Sequence, residues 1–297
     1  MQYVLIVIVI LLIALLAFGY KMAGFSMGIK KQTLEEAKKW QGEHYDISWY
    51  DGLAKEDYTV KSYDGYVLHV QLLKNKENSG KYVIISHGYT DNRLGALKYA
   101  RFYLEQGFNA VIYDLRGHGL NEDTFCTYSV KESRDLLALI KDTRERYADL
   151  EVLGLHGESL GAATTASCLQ YKPEVDFAVA DCGFSEIQPV LEGGLRSMHL
   201  PGFLVHFASL GAKLRFGYSY GQMRPVEALK DNEVPMMFIH GQDDNFILPA
   251  HSEKMQKTTK GYSELHLIKG AGHAYSAIAG ADEYRVLLAN FLAKVLN

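Results

Sequence analysis

The sequence predicts an α/β fold in which a mostly parallel sheet is covered by helices on both faces. Apolar runs of the buried-strand type alternate with stretches of helical pattern about 10 to 20 residues long, the arrangement that builds parallel sheets. The chain has 297 residues, of which 48% are apolar, so a large domain of this kind has ample material for its core. The eight strand candidates are residues 58–64, 66–73, 82–86, 109–113, 151–156, 177–181, 235–240 and 264–268.

The first two strand candidates predict a hairpin at one edge of the sheet. Asp64 and Gly65 join two runs of alternating apolar residues, and this dipeptide favours a tight turn. Helical patterns follow later strands, at about residues 95–106, 130–147 and 281–296. Ligands of open α/β sheets bind beyond the carboxyl ends of the strands. We therefore expect each chemical motif to lie directly after a strand.

Composition excludes some classes of function. The formal net charge is −4, and Lys and Arg are scattered along the chain. Proteins that bind nucleic acid normally carry a basic face or stripe, so this class is disfavoured. The three cysteines, Cys126, Cys168 and Cys182, form neither a CxxC pair nor a zinc-binding spacing. We expect them to be buried thiols without a disulfide.

The N-terminal segment is the exception to this soluble pattern. Residues 1–20 carry no charged side chain, and crossing the hydrocarbon core of a bilayer takes about 20 apolar residues. A cleaved signal peptide is the alternative, but no basic residue precedes the run and no A-x-A site follows it. An uncleaved transmembrane anchor is the favoured interpretation. The lysines that follow the run place the large domain on the cytoplasmic side by the positive-inside rule: they are Lys21, Lys30, Lys31, Lys38 and Lys39.

The expected organisation has three parts. An anchor at residues 1–20 precedes a linker with a short helix at 21–53, and the α/β domain occupies 54–297. The helix in the linker is predicted by "TLEEAKKW", which opens with Thr33 as a possible N-cap.

The stretch "GESLG", from Gly157 to Gly161, lies between a predicted strand and a predicted helix. A tight strand–turn–helix connection needs glycine on both sides of the central residue, because side chains there would clash. Such a turn lifts the hydroxyl of Ser159 above the sheet, where it is placed to act as a nucleophile. The alternative is an ordinary helix cap with incidental glycines.

A serine hydroxyl needs a base that takes its proton, and the base needs an acid that orients it. After an elbow of this kind, the acid and the histidine follow in that order, each after its own strand. Asp243 and Asp244 come directly after the predicted strand at 235–240, and His273 follows the next one. These residues predict a Ser-Asp-His triad, with the choice between the two aspartates open.

These motifs together resemble the α/β-hydrolase superfamily. Its acid loop commonly reads H-G-x-x-D-x-x-V-P, and in "HGQDDNFILP" that spacing selects Asp244. One extra residue stands before the proline, which leaves Asp243 as an alternative. The oxyanion hole needs two preorganised donors. One is the backbone N–H of Leu160, directly after the nucleophile, and the resemblance assigns the second to the backbone N–H of Tyr89, after His-Gly.

The resemblance extends from about Tyr58 to the C-terminus. "YDLRGHG" is similar to a turn of lipase-like and S33-type serine hydrolases, while "VADCGFSE" and "KLRFGYS" resemble bacterial hydrolases that carry one N-terminal hydrophobic anchor. Arg116, Asp181 and Cys182 within these stretches are interpreted as structural. Asp181 is also the alternative position for a displaced triad acid.

The segment at 184–232 is longer than one crossover helix requires and is rich in Leu, Met and Phe. We expect it to form a lid or one wall of an acyl pocket, although its apolar residues could equally serve only to pack it onto the body. The predicted reaction is hydrolysis of an acyl or aromatic ester through an acyl-enzyme, with no metal or organic cofactor. The expected partners are the ester substrate and, through the N-terminal helix, a membrane.

Other functions stay open. An amidase or peptidase would use the same triad. A non-catalytic binding protein, or a scaffold in which the N-terminal helix matters most, would not turn over a substrate. A hydrolase that uses its helix only as an anchor should stay active in solution after removal of residues 1–24. The oligomeric state is not predicted by any feature of the sequence.

Overall fold

The computed structural model describes residues 2–77 and 79–296, so Met1, Asn78 and Asn297 lie outside the described residues. In the described part, the eight strands form one sheet in the order β1-β2-β4-β3-β5-β6-β7-β8. β1 and β2 are antiparallel to their neighbours, and the other pairs are parallel. The strands are β1 Lys55–Lys61, β2 Val67–Leu73, β3 Lys81–Ser86, β4 Asn109–Tyr113, β5 Val152–Glu158, β6 Phe177–Asp181, β7 Met236–Gly241 and β8 Ser263–Ile268.

The predicted fold class is confirmed: a mostly parallel sheet, covered by helices, with an antiparallel edge. The largest difference lies in β1, which begins at Lys55 rather than at 58 and ends at Lys61 rather than at 64. This edge strand is only half-buried and starts with charged residues, so its first three residues show no apolar pattern. The hairpin turn occupies the predicted dipeptide, where Gly65 has a φ of 83°.

The helices flank the sheet on both faces. They are α1 Gln2–Met27, α2 Leu34–His44, α3 Ser48–Asp51, α4 Leu97–Glu105, α5 Glu132–Arg146, α6 Leu160–Cys168, α7 Ile187–Ser197, α8 Leu204–Phe216, α9 Ala250–Thr258, α10 Ser276–Ala279 and α11 Ala281–Val295. Short 3₁₀ turns lie at 93–96, 169–171, 220–222 and 225–229. Thr33 caps α2 as expected, since its hydroxyl accepts from the Glu36 N–H and the Glu36 carboxylate accepts from the Thr33 N–H.

The sheet separates two apolar layers, because successive side chains of each strand point to opposite faces. Ile84 and Leu155 face one layer, which also holds α5, α6 and the inner side of α8. Val83 and Ile85 face the other layer, with α4 and α11. All nine residues of α6 are buried, so the helix that begins directly after Ser159 lies at the centre of the molecule.

The N-terminal helix is longer than its apolar run and is joined to the body. α1 continues seven residues beyond Tyr20, to Met27. Its first part, residues 2–14, is exposed, whereas Gly19, Ala23 and Met27 are buried. A Cβ on Gly19 would overlap the carbonyl oxygen of Phe207, so α1 and α8 touch backbone to backbone at this point. The chain after α1 pairs with the loop before α5 through a bridge between Gly28 and Phe125.

The segment between β6 and β7 contains α7 and α8, followed by two of the 3₁₀ turns. We call residues 184–232 the cap segment. It covers the carboxyl ends of the central strands together with the second half of α1.

Candidate active site

Ser159 sits in a strained turn between β5 and α6. Its φ of 51° and ψ of −110° are unfavourable for a residue with a side chain and cost about 1–3 kcal/mol. A Cβ on Gly157 would overlap the carbonyl oxygen of Gly161, and a Cβ on Gly161 would overlap that of Ser86. Both glycines of the predicted elbow are therefore required by close backbone approach, and the turn has the expected shape.

The structure brings Ser159, His273 and Asp244 together. The Nε2 atom of His273 lies 3.0 Å from the Ser159 hydroxyl, and its Nδ1 lies 2.7 Å from Oδ2 of Asp244. Each side chain follows its own strand, so the carboxyl ends of β5, β7 and β8, with β6 between the first two, carry the three groups to one edge of the sheet. In this geometry the hydroxyl can pass its proton to Nε2 while the carboxylate holds Nδ1–H.

Asp244, and not Asp243, is the carboxylate that meets the histidine. The Asp243 side chain is exposed, whereas that of Asp244 is buried. Oδ1 of Asp244 accepts from the backbone N–H groups of Phe246 and Ile247, at 2.9 and 3.0 Å. Burial by itself would raise the pKa of Asp244. The hydrogen bonds from His240 and His273 outweigh it and hold that pKa below its usual range.

His240 supports Asp244 from behind, a role that the sequence reasoning missed. Its Nε2–H donates to the carbonyl oxygen of Ile247 at 2.7 Å and lies 3.2 Å from Oδ2 of Asp244. Its Nδ1 accepts from the Ser252 hydroxyl at 2.7 Å, which fixes this tautomer. The position of His240 at the end of a strand and before Gly241 was the signal that could have found it.

The two predicted oxyanion donors lie on elements next to Ser159. Leu160 is the first residue of α6, and the first N–H groups of a helix have no partner within the helix. Tyr89 follows β3 in a loop that His87 fixes. The His87 Nδ1–H donates to the Gly88 carbonyl at 2.7 Å, and Nε2 accepts from the Leu115 N–H at 2.9 Å. A Cβ on Gly88 would lie 3.7 Å from the Cβ of Ser159, so this loop passes directly over the elbow.

A buried ion pair ties the elbow to the histidine loop. Lys98 of α4 pairs with Glu158, the residue before Ser159, and its ammonium also donates to the carbonyl of Ala274 at 3.2 Å. Burial would lower the pKa of Lys98, but the Glu158 carboxylate outweighs it and raises that pKa. Tyr99 donates to Glu158 at 2.6 Å. Lys98 thus links the residues on either side of the serine–histidine pair, which no sequence motif indicated.

The remaining candidates lie away from the histidine. Asp181 is fully buried beneath the elbow, where its Oδ2 accepts from Tyr99 at 3.1 Å and its backbone carbonyl accepts from the Ser159 N–H. Arg116 pairs with Asp64 and Asp135, as expected for a loop ion pair. All three cysteines are buried and free. In the described part of the chain, no group of three His, Cys, Asp or Glu is placed to hold a metal ion.

An apolar pocket of about 350 Å³ opens beside the histidine. Phe246 lines it, and its ring packs edge-on against that of His273 with centroids 5.1 Å apart. Besides the cap segment, the walls include the last turns of α1, which the sequence reasoning did not connect with the site. The lining residues are Met22, Phe25, Ser26, Gly28, Lys30, Tyr89, Thr90, Tyr128, Val190, Leu191, Gly194, Leu195, Met198, Val205, Ala208, Tyr220 and Phe246.

A second, more polar pocket of about 540 Å³ lies on the other side of Tyr89 and Thr90. Glu158 and Ala274 reach its wall, so it also borders the residues next to Ser159 and His273. Most of its other lining residues are charged or carry polar groups: Lys30, Lys31, Gln32, Glu36, Trp40, Gln41, Asp91, Lys98 and Tyr275. The site therefore has an apolar side and a polar side.

Known proteins are similar to this chain in sequence. A model of the prolyl oligopeptidase family matches residues 96–297. The uncharacterized protein YqkD of Bacillus subtilis is 30% identical, over 98% of this chain and 97% of its own length. The uncharacterized protein YfhR of Escherichia coli K12 is 24% identical, over 87% of this chain and 83% of its own.

Two solved esterases show the same fold. Esterase Pf2001 of Pyrococcus furiosus superposes with a TM-score of 0.71 at 22% identity, covering 85% of this chain and 95% of the esterase. Est1E of Butyrivibrio proteoclasticus, with ferulic acid bound, gives 0.63 at 17% identity, covering 80% and 99%. The α/β-hydrolase fold that the motifs imply is thereby confirmed.

Proposed function

The chain belongs to the prolyl oligopeptidase family, and from that premise we propose that this serine hydrolase cleaves carboxylic esters through Ser159, His273 and Asp244. The observation that carries the proposal is the continuous hydrogen-bonded line from the Ser159 hydroxyl through the imidazole to the buried carboxylate. A strained serine that is hydrogen-bonded to an oriented imidazole is the arrangement of an activated nucleophile.

The reaction runs in two steps. The Ser159 oxygen attacks the ester carbonyl carbon while its proton passes to Nε2 of His273, and the carbonyl oxygen becomes an oxyanion held by the N–H groups of Leu160 and Tyr89. The bond to the alcohol oxygen then breaks, and His273 gives its proton to the departing alcohol. Water attacks the acyl-enzyme with His273 again as base, which releases the carboxylic acid and restores the serine.

Asp244 stays ionised throughout this cycle. The hydrogen bonds from His240 and His273 hold its pKa below the usual range, so the carboxylate is charged at neutral pH and stabilises the imidazolium without taking its proton. Its bonds to the backbone and to His240 hold it in one orientation, which is needed to fix the tautomer of His273.

The apolar pocket beside His273 supports an ester with an apolar acyl group. Its wall contains five residues with hydroxyl groups and one lysine, and its other residues are aliphatic, aromatic or glycine. Hydrolysis of amides or peptides is the second candidate, because membership of the prolyl oligopeptidase family favours it. An amide differs from an ester in needing stronger protonation of its leaving group, which the geometry of the triad alone does not distinguish.

We also propose that α1 is a retained membrane anchor with the α/β domain on the cytoplasmic side. α1 is long and apolar enough for an anchor or a signal sequence. The burial of Gly19, Ala23 and Met27 supports retention, because cleavage after residue 20 would remove part of a helix that covers α8. The lysines after the apolar run support the cytoplasmic side. The linker then begins only after α1, at Gly28, which pairs with Phe125.

A matched pair of substrates tests the reaction: p-nitrophenyl octanoate and octanoyl p-nitroanilide, offered to the full chain in detergent. We expect turnover of the ester, loss of that turnover in Ser159→Ala, and hydrolysis of the anilide slower by at least about tenfold. Faster hydrolysis of the anilide would favour the amidase. A folded wild-type chain that cleaves neither would contradict the enzyme and favour a binding protein.

A further inference from the structure

We propose that the enzyme draws its substrate from the bilayer: α1 and the cap segment together form an entrance at the membrane surface, and the substrate is a single-chain acyl ester of a membrane lipid. This inference rests on the proposed esterase function and adds the substrate class and the route by which it enters. Three observations on the structure carry it: the length of the free part of α1, the exposed apolar face of α8, and the course of the apolar pocket.

The free part of α1 is too short to cross a bilayer. Residues 2–14 are exposed on all sides, and at 1.5 Å per residue they extend for only about 20 Å. The hydrocarbon core is about 30 Å thick and needs about 20 helical residues. A spanning α1 must therefore lie in the membrane as far as about Tyr20, which includes Gly19, the residue in contact with α8. The protein body then begins inside the bilayer rather than beyond it.

α8 runs beside α1 in the same direction, because the contacts advance together along both helices. Gly19 of α1 contacts Phe207 and Gly211 of α8. Towards the C-terminal ends of both helices, Phe216 at the end of α8 packs on Phe125, which pairs with Gly28 directly after α1. The first half of α8 is thus held beside the part of α1 that the bilayer must surround.

The outer face of α8, which also exposes His206, carries three large apolar side chains. Phe203, Leu210 and Leu214 are 58%, 44% and 67% exposed, and their spacing puts them on one side of the helix. Exposed apolar side chains grouped in this way mark an interaction surface. Gly19 of α1 contacts Phe207 and Gly211 of this helix, and Leu16 and Tyr20 on either side of Gly19 are 41% and 49% exposed, so the same bilayer is the occupant of the surface.

Basic residues mark the level at which the membrane ends. Lys21 is the first charged residue of α1, and Lys213 and Arg215 lie in the last turn of α8. The guanidinium of Arg215 reaches the Tyr20 carbonyl at 3.4 Å and lies 5.0 Å from the centre of the Tyr20 ring. An aromatic ring with cations at one level is the arrangement found at the headgroup region.

The apolar pocket connects this level with the catalytic centre. Its lining includes Phe25 of α1 and Met198 after α7, which are 73% and 47% exposed. Phe246, which is 59% exposed, also lines it, and its ring contacts that of His273. An acyl chain that enters between α1 and α7 therefore passes from lipid to the catalytic histidine along a wall of apolar side chains.

In this proposal the apolar pocket holds the acyl chain of the lipid and the polar pocket holds its head group. The apolar pocket, at about 350 Å³, is near the lower end of the usual range of about 300–1,000 Å³ for ligand sites and suits one acyl chain rather than two. The polar pocket shares Lys30, Tyr89 and Thr90 with it and is open to the head group. The substrate class is thus a monoacyl lipid with a polar alcohol part.

Two adjacent glycines of α7 provide the first test. Gly194 lines the apolar pocket, whereas Gly193 is exposed and does not, and a Cβ at either position meets nothing within 4 Å. The full chain is reconstituted in phosphatidylcholine–phosphatidylglycerol vesicles that contain monooleoylglycerol or oleoyl-lysophosphatidylcholine. Lipid hydrolysis is expressed relative to hydrolysis of p-nitrophenyl acetate. We expect Gly194→Phe to lower this ratio by at least about tenfold and Gly193→Phe to leave it unchanged.

The second test addresses the membrane face. The double variant Phe203→Asp/Leu214→Asp places charges on the outer side of α8, and Val286→Asp, at an apolar residue of α11 that is 57% exposed, is its control. We expect the ratio to fall by at least about tenfold in the double variant only. An unchanged ratio in both Gly194→Phe and the double variant would overturn the proposal.

The same assay separates the two levels of inference. Acetate hydrolysis that depends on Ser159, with hydrolysis of neither lipid, would overturn the membrane route and leave the esterase standing. Absence of Ser159-dependent hydrolysis of acetate and of both lipids in a folded chain would overturn the esterase itself, and with it this inference.

Discussion

The two sides of Ser159 are built in different ways. On one side, His273, Asp244 and the Lys98–Glu158 pair form a hydrogen-bonded network carried by short segments at the ends of strands and by the start of α4. On the other side, the apolar pocket is lined by three helices and by loop residues such as Tyr89 and Phe246, and two of these helices, α1 and α8, are about 190 residues apart along the chain. The polar side sets the chemistry through local geometry, whereas the apolar side selects the substrate through long-range packing. Changes on the first side should therefore affect turnover of every substrate, and changes on the second should depend on acyl length.

The largest effect is expected at the acid. Asp244→Asn removes the charge that stabilises the imidazolium and disturbs the tautomer, so kcat should fall by about 10³–10⁴-fold for short and long esters alike. The neighbouring variant Asp243→Asn is the matched control and should stay within about twofold of wild type, because that side chain is exposed. Steady-state kinetics on p-nitrophenyl esters measures kcat for both variants. An equal loss of kcat in the two variants would argue against Asp244 as the acid.

The buried ion pair comes next. Lys98→Met leaves the Glu158 carboxylate buried without its cation, which should lower the free energy of unfolding by about 3–5 kcal/mol. Because Lys98 also holds the Ala274 carbonyl, kcat should fall for all esters while KM changes little. Denaturant unfolding and kinetics provide the measurement. The double variant Lys98→Met/Glu158→Gln should regain much of the stability, and a double variant as unstable as the single one would argue against the pairing.

The pH dependence of stability is expected to carry a signature of Asp181. Burial raises the pKa of Asp181 to about 6, while an unfolded aspartate titrates near about 3.9. The folded state therefore binds the proton more tightly, and stability falls as the pH rises from about 4 to about 7, by about 3 kcal/mol. In Asp181→Asn the decrease should be smaller but not absent, because burial also raises the pKa of Asp135 to about 6 and that group contributes with the same sign. We would compare unfolding free energies of both proteins at intervals across this range, and parallel curves would show that Asp181 does not titrate in this way.

A smaller effect is expected where the apolar side is assembled. Gly19→Leu cannot keep the backbone contact between α1 and α8, so the unfolding free energy should fall by about 1–3 kcal/mol. Hydrolysis of p-nitrophenyl octanoate should decrease more than that of the acetate. Ala17→Leu, at an exposed position of the same helix, is the control and should match wild type in both assays. If Gly19→Leu left stability and acyl preference unaltered, α1 would not be a wall of the pocket.

The same contrast explains what the sequence could predict. The elbow around Ser159, the loop of Asp244 and the loop of His273 each follow a strand, so strand order along the chain was enough to place them at one edge of the sheet. The choice of Asp244 over Asp243 needed a family pattern, because both residues follow the same strand. The structure distinguishes the two residues, because Asp243 is exposed and Asp244 is buried.

The packing of α1 against the body could not be predicted from the periodicity of the sequence. Its apolar run predicted a helix and ended at Tyr20, but the helix continues because Ala23 and Met27 bury against the body. Close contact between Gly19 and Gly211 joins residues with no common motif. Removal of residues 1–24 would take away this contact and Met22 of the pocket, so we now expect the shortened chain to lose stability and long-chain activity rather than to remain fully active.

The central claim is that Ser159 is an activated nucleophile, and covalent labelling tests it most directly. The full chain in detergent is treated with a fluorophosphonate, and the modified peptide is identified by mass spectrometry, with Ser159→Ala and His273→Ala beside it. We predict a single adduct on the peptide that contains Ser159, absent from the first variant and slowed by at least about a hundredfold in the second. An adduct on another residue, or a folded wild-type chain that hydrolyses esters without any adduct on Ser159, would contradict this account.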